Sequence, residues 1–327
     1  MKKLLYIFIC VFALVMMLCV SVSAATTTNK GENGVVWNAT VDETNGTATI
    51  TGATIEIRTD SFDIPHTITY NNKEYPVTAI GNNAFKEKKL AFGKITFPET
   101  LVSIGEYAFY KTNIYSDIVI PESVTTIGRY AFAECRGILT MKLPSSMKKI
   151  PEGLFSNCFS LTSVYTDGVI EEVGASSFYT CYALHNIQIG AGTRIINSNA
   201  FYECRGLDGT IDLSTVTTLA SNAFQGCFNI TGVKLSSIKF DLATFSRCTK
   251  IESYEVVPES THYTTIDGVL YNKSVTVLYR YPIEKKGEVF TLPDTVVEVY
   301  SEAFSGAYHV GRINLNKSLT YNQRLCP

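Results

Sequence analysis

Pro121-Glu122-Ser123-Val124-Thr125-Thr126-Ile127-Gly128-Arg129-Tyr130-Ala131-Phe132-Ala133-Glu134-Cys135 is the stretch on which the fold turns. Phe132 has counterparts at Phe109, Phe155, Phe178, Phe201 and Phe224, all 23 residues apart. Self-similarity at that length is the signature of a repeat architecture. The series frays outward: Phe85 stands 24 residues before Phe109, Phe245 21 after Phe224, and Phe304 a further 59 on. Chance does not space nine phenylalanines this way.

The rest of each unit keeps step with its anchor. Five residues before it stands an apolar side chain, as at Ile104, Ile127, Ile150, Val173 and Ile196, and six after it another, as at Ile138, Leu161, Leu184 and Leu207. A short alternating pair follows, such as Met141 with Leu143 or Val233 with Leu235, and period two means strand. Pro98, Pro121, Pro144 and Pro293 follow several strands, where a missing N–H ends pairing. The Ile-Gly…Ala-Phe half turns away from the strand, and helical or 3₁₀ turns are expected there. One unit holds too few apolar side chains to offset its own ordering entropy, so units must stack into one continuous hydrophobic column. Roughly ten coils at about 4.8 Å give an array about 45–50 Å long with one parallel sheet along a side.

Position by position, the quoted stretch resembles the BspA-like leucine-rich repeats, in which Pro, an apolar residue, Ile-Gly, Ala-Phe and Cys recur in that order. The resemblance covers residues 76–320. It departs where Ile150-Pro151 and Leu219-Ala220 replace Ile-Gly, a change expected to alter local turns and leave the stack intact. It implies an α/β solenoid, a right-handed array of short parallel strands, and attachment to host or neighbouring-cell components.

Residues 1–25 read as a signal peptide: Lys2 and Lys3, an apolar run from Leu4 to Val20, then small residues ending at Ala24-Ala25. A retained membrane anchor and lipidation at Cys19 are the competing readings, the latter opposed by Leu18. Residues 26–34 are polar and expected to be flexible, and 35–75 form a β-rich cap with Asn71-Asn72 as a turn. Within the solenoid, 257–290 is expected to be a degenerate coil lacking its Phe and carrying a hairpin between Ile266–Tyr271 and Val275–Leu278. Residues 321–327 remain as a tail. The predicted location is secreted or cell-surface, with no span in the mature chain. Sequons at Asn38, Asn45, Asn229, Asn272 and Asn316 matter only in a eukaryotic secretory pathway.

The chemistry-bearing residues are few. The net charge of −2 gives nucleic acid nothing to bind. Cys135, Cys158, Cys181, Cys204, Cys227 and Cys248 each fall three residues after an anchor Phe. They lack the close pairs of metal sites, and stacked neighbours would point in parallel, so they are read as buried thiols, with disulfide or metal roles as the alternatives. His66, His185, His262 and His309 are scattered, and Cys181 with His185 is the one close Cys/His pair. No catalytic residue, cofactor or metal is assigned. The candidate ligand-binding row is formed by outward strand positions: Lys142, Tyr165, Gln188, Asp212, Lys234, Glu255 and Asn314, with Val119 beside them. Phe159, Tyr182 and Phe228, next to the cysteines, form a second row that packing between coils explains equally well. The leading function is a binding or adhesion module for an extracellular protein or glycan. A structural spacer or self-assembling envelope component is the alternative, and a hydrolase using His185 the third reading.

Overall fold

The computed structural model describes residues 24–31, 34–55, 61–88, 94–187 and 192–320. Residues 1–23, on which most of the expected signal peptide falls, Gln188 and the tail 321–327 lie outside them. The coils stack as the periodicity requires. Phe85, Phe109, Phe132, Phe155, Phe178, Phe201 and Phe224 are fully buried and Phe245 is 3% exposed. Their rings stack in two runs, Phe85–Phe109–Phe132 and Phe155–Phe178–Phe201–Phe224–Phe245, with centroids 5.0 to 5.7 Å apart.

The expected helical half is turns instead, and the described residues hold a single 3₁₀ turn, Leu242–Phe245. The reason lies two residues either side of the anchors from Phe85 to Phe224, where the backbone is left-handed: Tyr107 and Lys111 flank Phe109, Tyr130 and Glu134 flank Phe132, and Asn199 and Glu203 flank Phe201. A left-handed residue breaks a right-handed helix and reverses where its N–H points. Alternate donors therefore leave the coil. Tyr107, Phe109 and Lys111 donate to Arg129, Ala131 and Ala133 of the next coil, while Ala108, Tyr110 and Thr112 close turns within their own. A helix would consume all these donors internally and leave the coils joined by side chains alone.

The strands also differ from a single sheet. The alternating pair forms two parallel ladders, one of Ile118–Val119, Thr140–Leu143, Ser163–Thr166 and Asn186–Ile187, the other of Asp208–Leu213, Asn229–Leu235 and Ser253–Val256. A further line of pairing runs through the residues before Gly, because extended β-branched Ile and Val there pair with their equivalents. It contains Lys73–Ile80, Ser103–Ile104 and Thr126–Ile127, then starts again with Lys149–Ile150, Glu172–Val173, Ile195–Ile196 and Thr218–Leu219. The interruption has a covalent cause. Gly105, Gly128 and Gly174 each donate their N–H to the preceding coil at Ile80, Ile104 and Ile150. Pro151 occupies the same place and has no N–H to give. Gly128 suits a close approach as well: a Cβ there would lie 2.4 Å from the Glu106 nitrogen. The substitution at Pro151 thus reaches further than a local turn.

The N-terminal cap is β-rich. Residues Ala25–Lys30, expected to be flexible from Thr26 onward, form an edge strand antiparallel to Val35–Asp42. Threonines favour extended backbone, and the Asn29 amide ties the strand down by exchanging two hydrogen bonds with Thr69. Strand Thr47–Ile55 then runs parallel to Lys73–Ile80, with Ile50 opposite Ile80, so the cap enters the solenoid ladder directly. Asn71 and Asn72 both have positive φ and close the tight hairpin between Thr67–Tyr70 and Lys73–Ile80.

At the other end the column divides. One apolar cluster reaches from Val35 to Leu270 and a second spans Val269 to Ala303. Buried Arg280 sits at the seam, its charge close enough to Tyr254 of the first to favour the ionised phenol, and donates to the Glu302 carbonyl beside the second. The inserted segment is a three-stranded meander, Tyr263–Ile266, Val269–Asn272 and Val277–Arg280. The expected strand Ile266–Tyr271 is broken by Asp267-Gly268, both at positive φ, a two-residue hairpin turn that the sequence reading passed over. The degenerate coil has its anchor after all. Tyr281, 23 residues before Phe304, donates its N–H to Ala303 as the anchors from Phe85 to Phe224 do to the next coil, and its ring lies 5.3 Å from Phe304. Phe304 itself is only half-buried.

Candidate ligand-binding face

Inward positions on the long strands alternate with outward ones. Met141, Leu143 and Val164 are buried, while Val119 and Tyr165, on either side of Lys142, are 60% and 44% exposed. Asp212 and Glu255 likewise flank Lys234. The row is therefore two contiguous patches, Val119–Lys142–Tyr165 and Asp212–Lys234–Glu255. Gln188 lies outside the described residues, and Asn314 stands apart in a two-stranded ladder beside Thr291.

Each patch carries an ion pair. Lys142 Nζ is 2.7 Å from Asp167, and Lys234 Nζ is 3.5 Å from Asp212. The Asp167 hydrogen bond raises the Lys142 pKa, so this ammonium stays charged. Asp167 is exposed, and sequence spacing gave no sign of it because it lies beyond the strand. Partial burial pushes the Asp212 carboxyl up, yet hydrogen bonds from Ser214 and the nearby Lys234 hold it below the usual range. Exposed apolar side chains beside fixed, opposite charges make a face that could match a protein surface.

The second row is a filled stack. Phe159 and Tyr182 lie parallel at 5.2 Å, Arg136 covers Phe159, Arg205 covers both Tyr182 and Phe228, and Arg247 packs on Phe228. Glu203 bridges Arg205 and Arg247 at 2.5 and 2.8 Å. These rings already have partners on their faces, so the row joins coils, each contact contributing about 0.5–1 kcal/mol.

The cysteines hold a place no spacing rule revealed. Each thiol donates to the carbonyl of the anchor one coil back: Cys135 to Phe109, Cys158 to Phe132, Cys181 to Phe155, Cys204 to Phe178, Cys227 to Phe201 and Cys248 to Phe224, all at 3.0 to 3.1 Å. All six are free and buried. Burial pushes Cys135 up to about 11 and Cys248 to about 12, with Cys181 higher still. A thiol held protonated is a poor nucleophile. Cys181 points into the core while His185 is exposed, its Nδ1 2.8 Å from the Ala183 carbonyl, so the two are not brought together. No group of three metal-ligating side chains occurs among the described residues, and no helix there is long and apolar enough to cross a membrane. Sequence reading also missed a cavity of about 570 Å³ walled by Phe240, Tyr263, Tyr279 and Tyr300.

A family model described as BspA type Leucine rich repeat region matches residues 78–208 and 171–284, with six copies. Among solved structures, a leucine-rich cell surface protein from Faecalibacterium prausnitzii is similar at 21% identity and TM-score 0.47, covering 91% of this chain and 72% of its own. The pneumococcal vaccine antigen PcpA is similar at 19% identity and TM-score 0.44, covering 91% and 66%. A leucine-rich repeat protein from Eubacterium ventriosum follows at 17% identity and TM-score 0.37, covering 90% and 61%. This chain thus spans less than two thirds of the latter two proteins. Among proteins of curated function, none is significantly similar in sequence.

Proposed function

The chain belongs to the BspA-type leucine-rich-repeat family, and from that premise we propose that it is an exported, surface-associated binding protein that engages an extracellular protein through its long strand face. The observation that carries this reading is the patch Val119–Lys142–Tyr165, where exposed apolar and aromatic side chains flank a lysine pinned by Asp167. Burying such an aromatic at the centre of an interface contributes about 2 kcal/mol or more. Lys2, Lys3 and the apolar run behind them support export.

Exported protein, made without its first 25 residues, is applied to an array of extracellular matrix proteins and glycans. Binding to at least one protein is expected, with Tyr165→Ala and Lys142→Glu each weakening it about tenfold or more. Binding untouched by both changes would remove the strand face from the mechanism. Concentration-dependent self-association abolished by the same changes would replace this reading with the spacer one.

A further inference from the structure

A second recognition site, independent of the strand face, lies where the last regular coil meets the meander. Phe240, Tyr263, Tyr279 and Tyr300 form one side of the cavity, whose volume of about 570 Å³ falls within the range of small-molecule sites. Consecutive ring centroids are 5.7, 5.6 and 5.7 Å apart at angles of 55°, 75° and 60°. In the core, Phe178 and Phe201 lie 5° from parallel and cover one another's faces. Here Tyr263 is buried, Phe240 and Tyr279 are half-buried, and Tyr300 is 42% exposed. A burial-driven packing arrangement has no need of that exposure.

The polar groups beside the rings narrow the ligand. Lys239 and Asp241 also line the cavity and balance in charge, so it offers no excess of cations to a phosphate or carboxylate. One Asp241 oxygen accepts the Ala243 N–H at 2.9 Å, which leaves the other as an acceptor for a ligand hydroxyl. His262 Nδ1 lies 3.2 Å from the Ser237 hydroxyl and 3.1 Å from that of Thr261, which fixes the ring and leaves Nε2 for a ligand. The tilted rings make a corrugated wall, which suits a puckered ring better than a flat one that needs parallel plates. Apolar ring faces, a balanced ion pair and uncommitted hydrogen-bonding groups match one chemical class. We propose that this cavity binds a neutral pyranose oligosaccharide, its C–H face against Tyr279 and Tyr300 and its hydroxyls on Asp241, Lys239 and His262.

The test uses the exported protein against cellotriose, maltotriose, mannotriose and chitotriose, followed by calorimetry and by NMR of the sugar. Saturable binding of at least one, with Kd on the order of 1 mM or tighter, is expected. Tyr300→Ala should weaken it about tenfold and His262→Ala to a smaller degree. Both residues are exposed, so an unchanged unfolding midpoint will separate lost binding from lost fold. Tyr165→Ala on the strand face should leave the sugar affinity unaltered. No binding of any of the four at about 10 mM overturns the proposal. So does binding that persists in Tyr300→Ala, or a cavity that takes a peptide or an anionic sugar in preference to the neutral ones.

Discussion

The coils from Phe85 to Phe245 and the segment from Tyr263 to Asn314 are built on one plan and held together differently. In the first, phenylalanine rings stack in two runs, while a backbone hydrogen bond joins coil to coil across the break between them and, from Cys135 to Cys248, a thiol sits on the carbonyl of the anchor one coil back. In the second, Tyr281 and Phe304 are tilted by 30°, Phe304 is half-buried, and no described residue supplies a thiol. An anchor residue by itself therefore does not make a coil equivalent to its neighbours. What does is the simultaneous satisfaction of the ring, the N–H and the carbonyl.

The widest separation between the two should appear in alkali. The buried thiols have pKa values raised above the ordinary 9, Cys135 to about 11 and Cys248 to about 12. The unfolded chain therefore releases these protons first, and their contribution is complete below about pH 9 and lost as pH rises through the folded values. Each thiol contributes a slope of about 1.4 kcal/mol per pH unit in that window, and six together give roughly 8. Tyr271, pushed by burial to about 12, begins to act only above the ordinary tyrosine value of 10. Urea unfolding at pH 7, 9 and 10 should show the regular coils weakening first. A midpoint flat to pH 10 would mean that the thiols are not buried.

Next in size is truncation of an anchor. Phe178→Ala should destabilise the array by about 3–5 kcal/mol, whereas Phe304→Ala should cost about 1–2 kcal/mol and loosen only the C-terminal amides. Equal losses, measured by denaturation and hydrogen exchange, would erase the distinction between the regions. The smallest effect concerns their junction. Arg280→Ala leaves the Glu302 carbonyl short of a donor at a cost of about 1 kcal/mol. Two unfolding transitions in place of one would identify Arg280 as the coupling between the clusters, and a single unchanged transition would deny it that role.

Much of this was legible in the residues. The 23-residue phenylalanine period carried the solenoid, and the alternation around Met141 and Leu143 carried the outward row containing Lys142 and Tyr165. Other features escaped because they depend on backbone geometry that identity only weakly encodes. Tyr107, Tyr130 and Glu134 adopt left-handed conformations that asparagine or glycine would have advertised. Tyr281 was readable by counting back from Phe304, and Asp267-Gly268 by its turn chemistry. The cavity beside Tyr279 and Tyr300 was not, since its walls come from four separate segments.

The evenly pitched cysteines carry a consequence for the order of events during biogenesis. On the proposed export route the chain emerges into an oxidising compartment with the six interchangeable sulfurs of the ladder, and until the coils close any two of these can cross-link wrongly. Closure ends the hazard, because each sulfur is then shielded from water and its proton is committed to a carbonyl. Neighbouring coils meet across short stretches of chain, a topology that shortens the search for native contacts. The race between collapse and oxidation is thus weighted by the architecture toward collapse, and the same periodicity that creates the danger limits how long it lasts.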